Sequence, residues 1–573
     1  MDKEECKILK DPVYGYIKIP TLYMTEIVDT AEFQRLRRIL QTSYAPFYSS
    51  AIHNRFVHSI GVFYLGQIVA SRLIQVNKEK RMIAHNDMVK YAQIYKLACL
   101  LHDVGHAPFS HTGEVFYSPA LNTQLAELIK SEAFTKYVET IGATKGAAPH
   151  EIMSAIIGLK NYGKYFKDSD DKELFARCIT GYLYPPQTPE EQIKNCFINM
   201  LNSKVIDVDR LDYLIRDAYI SGFKSMNIDY ERLLSALTIV KYPFYSIAYE
   251  KNALSIIENV VYAHDAERKW IQNHPVVSYE AYIIKHIIMN LNDGLKENVD
   301  SEGNSLFSEA ALSRAGVQFS NGTKVSLLCD DDIVFLFKNM FQDPTSLNDE
   351  FFDRRARRHP IWKSEAEYSA YIDSLCRDGK LKHEFEEAMT ALADGEQKGM
   401  PSFITINEQY IDKLRTELKT AGEEEHKFLN NPKLSQTENQ ALQQSFAANR
   451  RGINRKLLIC ECLSHAAKER NLECDYVITS ARFFSSNFSK EDMGKTLIVF
   501  RDGENENIYR FDQVCNILRA GDVEKESGKN FFYIFYRRKC IKGDSRADTF
   551  EFVNKADFCR DLFTEATRRV QEH

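Results

Sequence analysis

The sequence predicts a mainly α-helical fold with a smaller α/β lobe at its C-terminal end. Apolar residues recur at helical spacing through most of the first 450 positions. After Arg450 the pattern changes, and runs rich in β-branched and aromatic residues, TLIVFRD, IYRF and NFFYIFYRRK, are separated by turn residues. The helical run LLICECLSHAAKER lies among them, so this last region mixes both kinds of element.

Three domains follow from these patterns. A helical core over 1–290 opens with one short strand, KDPVYGYIKI, and contains a loop from Gly142 to Pro149. The polar stretch ENVDSEGNS (Glu297 to Ser305) marks its end, and a helical extension continues over 291–450. The last part of that extension, 415–450, is so polar that it is either an exposed helical hairpin or partly disordered. The α/β lobe covers 451–573.

Composition restricts the class of protein. The 573 residues, 44% hydrophobic and 27% charged, are enough for a large core. A net charge of −6 argues against a general nucleic-acid binder, although a local site stays open. Twelve cysteines without paired metal-ligand spacing indicate reduced thiols. The start MDKEECKILK is too charged for a secretory signal, and no apolar run has the length of a membrane span. We therefore expect a cytoplasmic protein that does not enter membranes.

One basic cluster stands out in this acidic chain. It comprises Arg354, Arg355, Arg357 and Arg358. Such a cluster is usually a solvated face, and its functional interpretation is an anion site or a subunit contact. Both interpretations stay open.

The most informative segment is LLHDVGHAPFSH, which places His102, Asp103, His106 and His111 within ten positions of an apolar stretch. Imidazole and carboxylate both coordinate divalent metals, and burying either group without a partner is costly, so an unpaired His-Asp doublet in the apolar helix that we expect here should be rare. A satisfied core histidine beside a capping Asp explains any one of these residues but not four together. The segment therefore predicts a metal site.

Further ligands lie upstream and downstream of this segment. HNRFVHS supplies Arg55 and His58 at the start of an apolar helix, and IDVDRLDYLIRD supplies Asp207 and Asp209. One His, a His-Asp doublet and a distant Asp make a set of four ligands.

These segments together resemble the HD-domain phosphohydrolases. The resemblance is closest to the deoxynucleoside triphosphate triphosphohydrolases whose animal member carries a sterile-alpha-motif domain, a domain that we do not expect before the core here. It runs in order through KDPVYGYI, DTAEFQRLRRILQ, HNRFVHS, LLHDVGHAPFSH, PHE and DVDRLDYLIRD, about the first 220 residues. It implies one divalent metal ion held by His58, His102, Asp103 and Asp209. It leaves His53 outside the ligand set, in a structural role.

The ligand types suit Mn, Fe, Zn, Ni or Mg, so the identity of the metal stays open. Arg55 lies one helical turn before His58 and is expected to bind phosphate oxygens beside the metal. His106, four residues after His102, and His111, after Pro108, are expected to reach the same phosphate.

Glu114 follows His111 by three residues, a spacing at which a carboxylate can orient an imidazole. In the family the matching pair donates a proton to the leaving oxygen. His150, in the run PHE, matches a third family histidine at the phosphate site, although by itself a His in such a loop is more often a cap or solvated.

The sugar is expected on one face of a helix that contains Asp209, Tyr213 and Asp217, because these residues are spaced i, i+4, i+8. The resemblance implies that Tyr213 and Asp217 contact a deoxyribose around its 3′-hydroxyl. The structural alternative places Tyr213 in the core and pairs Asp217 with Arg216 or a neighbouring helix.

The base pocket departs from the family pattern. The family's Gln-Leu pair is Gln41-Thr42 here, and its Tyr-Gln pair is Ile271-Gln272. A phosphate-binding Arg of the animal enzyme falls near Ala263 or His264. His264, Arg268 or Lys269 are candidates to replace its charge. Base preference, and the preference for a triphosphate, therefore stay open.

A regulatory site is also implied. Lys7, Asp29, Gln34 and Arg37 match positions that hold a guanine nucleotide between subunits of the animal enzyme, which predicts a guanine nucleotide activator and a homo-oligomer. The alternative is a helix, DTAEFQRLRR, with Phe33 and Leu36 in the core and its charges in solvent.

The leading hypothesis is hydrolysis of dNTPs to deoxynucleoside and tripolyphosphate. The alternatives are hydrolysis of another phosphate ester, such as a nucleoside monophosphate, a cyclic dinucleotide or a nucleic-acid end, and a nucleotide-sensing or nucleic-acid-binding protein with weak turnover.

Overall fold

A computed structural model describes the protein in two compact units. The first contains residues 1–272, 287–342 and 486–524, and the second contains 273–286, 343–485 and 525–573. Within these ranges the described residues are 5–42, 48–141, 146–223, 227–296, 305–319, 322–340, 347–353, 357–375, 379–393, 405–429, 436–468, 476–482, 493–502, 505–515, 530–537, 561–562 and 565.

Helices make up most of the regular structure. They are α1 (Thr21–Tyr23), α2 (Ala31–Gln34), α3 (Arg55–Lys80), α4 (His85–Leu101), α5 (Leu121–Ile129), α6 (Glu132–Ile141), α7 (Pro149–Asn161), α8 (Ser169–Thr180), α9 (Pro189–Leu201), α10 (Val208–Ser221), α11 (Tyr230–Ser235), α12 (Leu254–Glu267), α13 (Pro275–Lys296), α14 (Glu309–Leu312), α15 (Asp330–Met340), α16 (Leu347–Phe352), α17 (Glu365–Leu375), α18 (Gly379–Ala393), α19 (Glu408–Leu429), α20 (Gln436–Lys468) and α21 (Phe511–Val514). Short 3-10 or π-type turns cover Met24–Val28, Arg35–Arg38, Ser110–Thr112, Glu114–Phe116, Gly163–Tyr165, Lys251–Ala253 and Arg268–Gln272.

The strands form small sheets beside the helices. They are β1 (Cys6–Asp11), β2 (Gly15–Pro20), β3 (Leu237–Lys241), β4 (Tyr245–Glu250), β5 (Val317–Gln318), β6 (Lys324–Val325), β7 (His359–Pro360), β8 (Thr405–Ile406), β9 (Tyr476–Arg482), β10 (Leu497–Asp502), β11 (Asn505–Arg510) and β12 (Asn530–Tyr536). The four sheets have the orders β1-β2, β11-β10-β4-β3, β7-β12-β9-β8 and β5-β6, and among the described strands only β10 and β4 pair in parallel. The prediction of a mainly α fold with a smaller α/β region is confirmed.

The predicted N-terminal strand is a hairpin of two strands, β1 and β2. Asp11 starts the turn, because its carboxylate accepts hydrogen bonds from the backbone N–H of Val13 at 2.8 Å and of Tyr14 at 3.0 Å. Gly15 closes it at φ +79°, a conformation that favours glycine. The residues PVYG, which lie inside the segment expected to be one strand, therefore belong to the turn between β1 and β2.

Helix α3 is the centre of the first unit. It begins at Arg55 because the side chain of Asn54 caps it, accepting from the N–H of Val57 at 3.3 Å. The expectation that no apolar run has the length of a membrane span is wrong for this helix, which alone among the described helices is long and apolar enough to span a membrane; 61% of its apolar window is buried inside the protein, as in a core helix. The polar residues Arg55 and His58 at its start are buried with it.

The segment DTAEFQRLRR forms α2 and a following 3-10 turn. Phe33 and Leu36 are buried, as predicted. The expectation that its charges face solvent is wrong for Arg35, which is 4% exposed and donates to the carbonyls of Leu328, Val104 and His106 at 2.8 to 2.9 Å. A guanidinium can be buried there because carbonyls satisfy its donors.

The C-terminal runs contain strands, as predicted: TLIVFRD contains β10, the first three residues of IYRF end β11 while its Phe511 begins α21, and NFFYIFYRRK contains β12. They belong to two sheets, since β10 and β11 extend the β3-β4 sheet while β12 pairs with β9. The domain boundaries at 290 and 450 stay predictions. Residues 297–304 and 142–145, in two of the predicted polar stretches, lie outside the described residues.

In the second unit, α19 and α20 form the predicted helical hairpin. Arg450 of α20 contacts Glu425 of α19 at 2.8 Å. The basic cluster is in part structural, since the buried Arg358 contacts Glu350 and Tyr279, and Arg357 donates to the carbonyl of Val276 at 2.9 Å. Arg354 and Arg355 lie outside the described residues.

The contact between α3 and α10 gives a stability prediction. A Cβ added at Gly61 would lie 1.9 Å from Oδ1 of Asp212 and 2.4 Å from Nη2 of Arg216, a buried ion pair. We expect Gly61→Ala to lower the free energy of unfolding by about 2–4 kcal/mol, since it must displace this pair. Gly163→Ala, with no atom within 4 Å of its new methyl group, is the control and should change it by less than about 0.5 kcal/mol. Equal stability of the two variants in urea titrations would contradict the packing described.

Candidate active site

Two imidazoles and two carboxylates converge at one point in the first unit. Nε2 of His58 lies 3.2 Å from Nε2 of His102. Oδ1 of Asp209 is 2.9 Å from the first and 3.6 Å from the second of these nitrogens. The carboxylate of Asp103 lies 3.4 Å from Nε2 of His102 and 3.6 Å from Nε2 of His58. The structure thus brings together the four residues predicted as metal ligands.

The elements that carry them explain how they meet. His58 is in the second turn of α3 and Asp209 in the first turn of α10. Helix α4 ends at Leu101, so the His102-Asp103 doublet lies at its C-terminal end and not inside it, contrary to the expectation of a helical doublet. His106 therefore reaches the site through a turn.

The protonation of the two imidazoles shows that a cation fits here. Nδ1 of His102 lies 3.0 Å from the carbonyl oxygen of Cys99, which can only accept a hydrogen bond, so this nitrogen carries the proton. Nδ1 of His58 lies 2.7 Å from Oδ2 of Asp212. With Nδ1 protonated on both rings, a divalent metal would take the place of the proton that Nε2 of His58 otherwise donates to Oδ1 of Asp209, and both Nε2 lone pairs would then face it beside two carboxylates.

The electrostatics agree with this interpretation. Burial lowers the pKa of His58, but hydrogen bonds to Asp209 and Asp212 outweigh it and raise that pKa to about 10. Negative potential that favours a proton on His58 would equally favour a metal cation. Asp103 is buried, which raises its pKa, but Arg55 and the neighbouring histidines hold that pKa well below its usual range, so it is a carboxylate.

The structure also separates the two aspartates of the IDVDRLDYLIRD motif. Asp207 is the N-cap of α10, because its carboxylate accepts from the N–H of Arg210 at 2.7 Å and of Ser203 at 3.0 Å. Asp209, two residues further and so on a different face of the helix, has a side chain that is 40% exposed and faces the imidazoles. The group of four predicted ligands is therefore accessible from the side of Asp209.

Glu114 joins the predicted catalytic histidines. Its Oε1 lies 2.7 Å from Nδ1 of His111, and its Oε2 accepts from Nδ1 of His150. His150 is the second residue of α7, after Pro149, and its ring stacks on that of His106 at 4.0 Å between centroids. The side chain of His111 is 67% exposed, so its Nε2 is open to a ligand.

Charges in this group differ from residue to residue. Burial raises the pKa of Glu114, but His150 and His111 outweigh it and hold it well below the usual range. Burial lowers the pKa of His150, yet Glu114 raises it to about 9, so this imidazole is cationic at neutral pH. Burial, with Arg55 and His150 nearby, lowers the pKa of His106 well below its ordinary value. These residue types could also hold a metal, but both oxygens of Glu114 are occupied by imidazoles.

The turn that follows α4 fixes the positions of His106 and His111 and packs against α7. Phe109 and Ser110 have φ of 56° and 54°, the left-handed region that non-glycine residues rarely adopt. Gly105 packs on α7 so closely that a Cβ would lie 2.2 Å from the N atom of Ser154. The GHAPFSH sequence therefore forms a tight, strained turn.

Arg55 contacts this turn and the metal ligands. Its Nη1 donates to Oδ2 of Asp103 at 2.8 Å and its Nε to Oγ of Ser110 at 2.9 Å, while Nη2 donates to the carbonyl of Gln41 at 3.3 Å. The residue predicted to bind phosphate thus also orients a predicted ligand.

The predicted sugar residues lie on α10 as expected. Asp217 does not pair with Arg216: its Oδ1 lies 2.6 Å from Nε2 of His53, and its carboxyl also interacts with Glu267 of the neighbouring helix α12, in agreement with that part of the structural alternative. His53 is thus a structural partner of Asp217 and lies outside the group of predicted metal ligands. The hydroxyl of the half-buried Tyr213 accepts from Nε of Arg210 at 3.3 Å.

The residues predicted to face the base, Gln41 and Gln272, lie in different environments. Gln41 is buried, and Gln272 donates to Oε1 of Glu267 at 3.1 Å. Burial, with Asp217 beside it, raises the pKa of Glu267 well above its ordinary value, so this carboxyl is neutral. Burial also lowers the pKa of His264, so His264 does not supply the charge of the absent Arg.

Sequence reasoning missed three residues of this region, Asp212, Glu267 and Asp330. Asp330, the first residue of α15, accepts hydrogen bonds from the backbone N–H groups of Phe109 and Leu40. Asp212 had a signal, because it lies three residues after Asp209 and four before Arg216 in one motif. Glu267 and Asp330 come from helices distant in sequence, and no motif or spacing in the sequence indicated them.

The predicted regulatory residues lie in pairs on the first unit. Lys7 contacts Asp29 at 3.9 Å, and Oε1 of Gln34 accepts from Nε of Arg37 at 2.8 Å. The guanidinium of Arg37 lies 3.6 Å above the ring of Phe56. Lys7, Asp29 and Arg37 are exposed.

Comparison with known proteins supports a relationship with HD-domain dNTPase-like proteins at the level of the family. A 258-residue stretch is 30% identical to the "Uncharacterized protein MG461 homolog" of Mycoplasma pneumoniae and covers 44% of this chain and 52% of that protein. A 241-residue stretch is 29% identical to the "Deoxynucleoside triphosphate triphosphohydrolase SAMHD1 homolog" of Dictyostelium discoideum, covering 42% and 41%. Similarity to the Bos taurus protein "Deoxynucleoside triphosphate triphosphohydrolase SAMHD1" is 29% over 251 residues, covering 40% and 38%.

The matches span about half or less of the length of these relatives. No protein-family model matches the chain. The similarity therefore suggests a hydrolase and leaves the substrate to be proposed.

The convergence of ligands predicts loss of metal on substitution. We expect His102→Ala and Asp209→Ala to purify with less than a tenth of the metal of the wild-type protein, because each removes one of four donors. His53→Ala is the matched control, since this buried imidazole lies beside Asp217 and outside the group. Elemental analysis of the three purified variants measures their metal content. Wild-type metal content in His102→Ala and Asp209→Ala would place the metal elsewhere.

Proposed function

We propose that the protein is a metal-dependent HD-type phosphohydrolase that cleaves dNTPs to deoxynucleoside and tripolyphosphate. The observation that carries the proposal is the convergence of His58, His102, Asp103 and Asp209 on one point, next to a cationic His150. Relatives named as deoxynucleoside triphosphate triphosphohydrolases support the substrate class. We also propose a cytoplasmic homo-oligomer with a guanine nucleotide activator at Lys7, Asp29, Gln34 and Arg37.

These four ligands would hold one divalent ion, which when bound polarises a phosphoryl oxygen and lowers the pKa of water. Arg55 keeps Asp103 ionised and oriented toward this point. His150, cationic through Glu114, supplies positive charge to the phosphate chain. Buried His106 stacks on His150 and contacts Asp103 at 3.1 Å, so it joins the two groups.

His111 is the proposed general acid. Glu114 holds its Nδ1, which fixes the ring and directs Nε2 outward, where it can donate a proton to the leaving oxygen. His111 and Glu114 thus form a dyad, the standard arrangement in which a carboxylate stabilises an imidazolium.

The sugar would lie along α10. Asp217, held by His53, would accept from the 3′-hydroxyl, and the ring of Tyr213 would crowd a 2′-hydroxyl. Gln41 and Gln272 would face the base. With the sugar there and the cationic groups around the phosphates, cleavage falls at the α-phosphorus.

The dyad gives a kinetic prediction. We expect His111→Ala and Glu114→Ala to retain their metal but lose about 10²–10⁴-fold in kcat. His85→Ala, which removes an exposed imidazole at the start of α4, should leave kcat unchanged. Turnover close to wild type in both dyad variants, measured on metal-loaded protein, would assign the pair a structural role.

The released products test the substrate and the site of cleavage. Chromatography of a dNTP digest, with and without GTP, should show deoxynucleoside and tripolyphosphate in equal amounts, and ribonucleotides should react more slowly. Orthophosphate or pyrophosphate as the main product would replace the proposal with hydrolysis of another phosphate ester. Binding of dNTP to metal-loaded protein without turnover would favour a nucleotide-sensing protein.

A further inference from the structure

Asp330 contacts the strained turn that carries the proposed catalytic histidines. Its Oδ1 accepts from the N–H of Phe109 at 2.6 Å, and its Oδ2 accepts from the N–H of Leu40 at 3.0 Å. Asp330 is the first residue of α15 and is 7% exposed, more than 200 positions from either partner. One carboxylate therefore joins two separate segments of the site through backbone donors.

Both segments are placed beside the metal ligands. The Phe109 N–H belongs to the turn with two left-handed residues, three positions after His106 and two before His111. Leu40 precedes Gln41, and its carbonyl accepts from Oγ of Ser110 at 2.6 Å, the same hydroxyl that Arg55 contacts. A conformation that is unfavourable by itself persists only where its surroundings hold it, and Asp330 supplies a charged acceptor at this point.

We propose that Asp330 is a positioning residue, whose carboxylate holds the turn between His106 and His111 so that His111 faces the substrate. Only the kinetic consequence rests on the proposed phosphohydrolase function. Asp330 does not touch the reacting atoms: it acts through Phe109 and Leu40.

The surroundings of the Asp330 carboxylate make its hydrogen bonds to Phe109 and Leu40 dependent on pH. Arg35 approaches it from the 3-10 turn, Asp331 and Asp332 lie on its own helix, and the two backbone N–H groups face it. Burial, which outweighs the two backbone hydrogen bonds, raises the pKa of Asp330 to about 7. The carboxylate that accepts from both segments is therefore the major form above pH 7, and protonation removes one acceptor below it.

The contribution of Asp330 to overall folding stability changes with pH in the opposite direction to its hold on the turn. Because the folded-state pKa is raised, the unfolded chain ionises first, so the contribution of this group to stability is full below the ordinary pKa and is lost as pH rises through about 7. Protonation of Asp330 therefore loosens the turn without lowering the contribution of Asp330 to the free energy of unfolding. This difference distinguishes a local change in the turn from global unfolding.

Asp330→Asn tests the proposal, since the amide keeps one acceptor and replaces the other with a donor. Asp331→Asn is the matched control: it makes the same charge change at the next residue, whose side chain is 70% exposed and lies 3.5 Å from Arg38. At pH 8 the Phe109 amide of Asp330→Asn should exchange hydrogen at least roughly tenfold faster than in the wild type or the control. At pH 6, after correction for intrinsic rates, the wild type should approach the variant.

The kinetic arm uses metal-loaded protein and the dNTP that the wild type cleaves. We expect kcat of Asp330→Asn to fall by roughly 10–100-fold, because a displacement of about 1 Å is enough for such a loss, with KM and metal content little changed. Unchanged exchange at Phe109, or faster exchange with unchanged kcat, would overturn the positioning role. If the wild type cleaves no dNTP, the proposed function fails, and the exchange measurement alone decides whether Asp330 holds the turn.

Discussion

Two imidazole nitrogens 3.2 Å apart, facing two carboxylates inside a helical core, are the constraint on which the rest of the first unit depends. Each donor must be held against its neighbours, and the chain does this with further ion pairs. Asp212 binds Nδ1 of His58 and the guanidinium of Arg216, and Arg216 in turn binds Asp11 at 2.9 Å. Asp11 also starts the turn of the N-terminal hairpin, so the first strands of the chain are tied to the metal centre.

These buried ion pairs are costly to desolvate and weak evidence for stability by themselves. Their value here is geometric, since Asp212 fixes the tautomer and ring orientation of His58 and Arg55 fixes the carboxylate of Asp103. Gly61 is required at the crossing of α3 and α10 because this network fills the space that a side chain would use. Packing and site chemistry therefore constrain the same residues.

The sequence predicted residues whose spacing or motif carries the chemistry and missed those set by tertiary contacts. His58, His102, Asp103 and Asp209 were assigned as a group through the resemblance of their segments to the HD-domain phosphohydrolases, and the structure brings the four side chains together. The end of α4 at Leu101 was missed, because an apolar run does not show where a helix stops when a His caps it. Arg35 was assigned to solvent because local periodicity cannot show that the carbonyls of Val104, His106 and Leu328 would accept from it.

Glu267 shows how the electrostatics at the proposed base and sugar end of the site differ from those at the proposed phosphate end. Near the phosphates, Glu114 is ionised and makes His150 cationic, since two imidazoles surround it. Glu267 is neutral because burial, and then Asp217 beside it, raise its pKa well above the ordinary value. A neutral carboxyl next to Gln272 can both donate and accept hydrogen bonds, as a nucleoside requires, but it contributes no charge to a phosphate. Charge recognition in the proposed site therefore depends on the histidine cluster and Arg55, and hydrogen-bond recognition on α10 and α12.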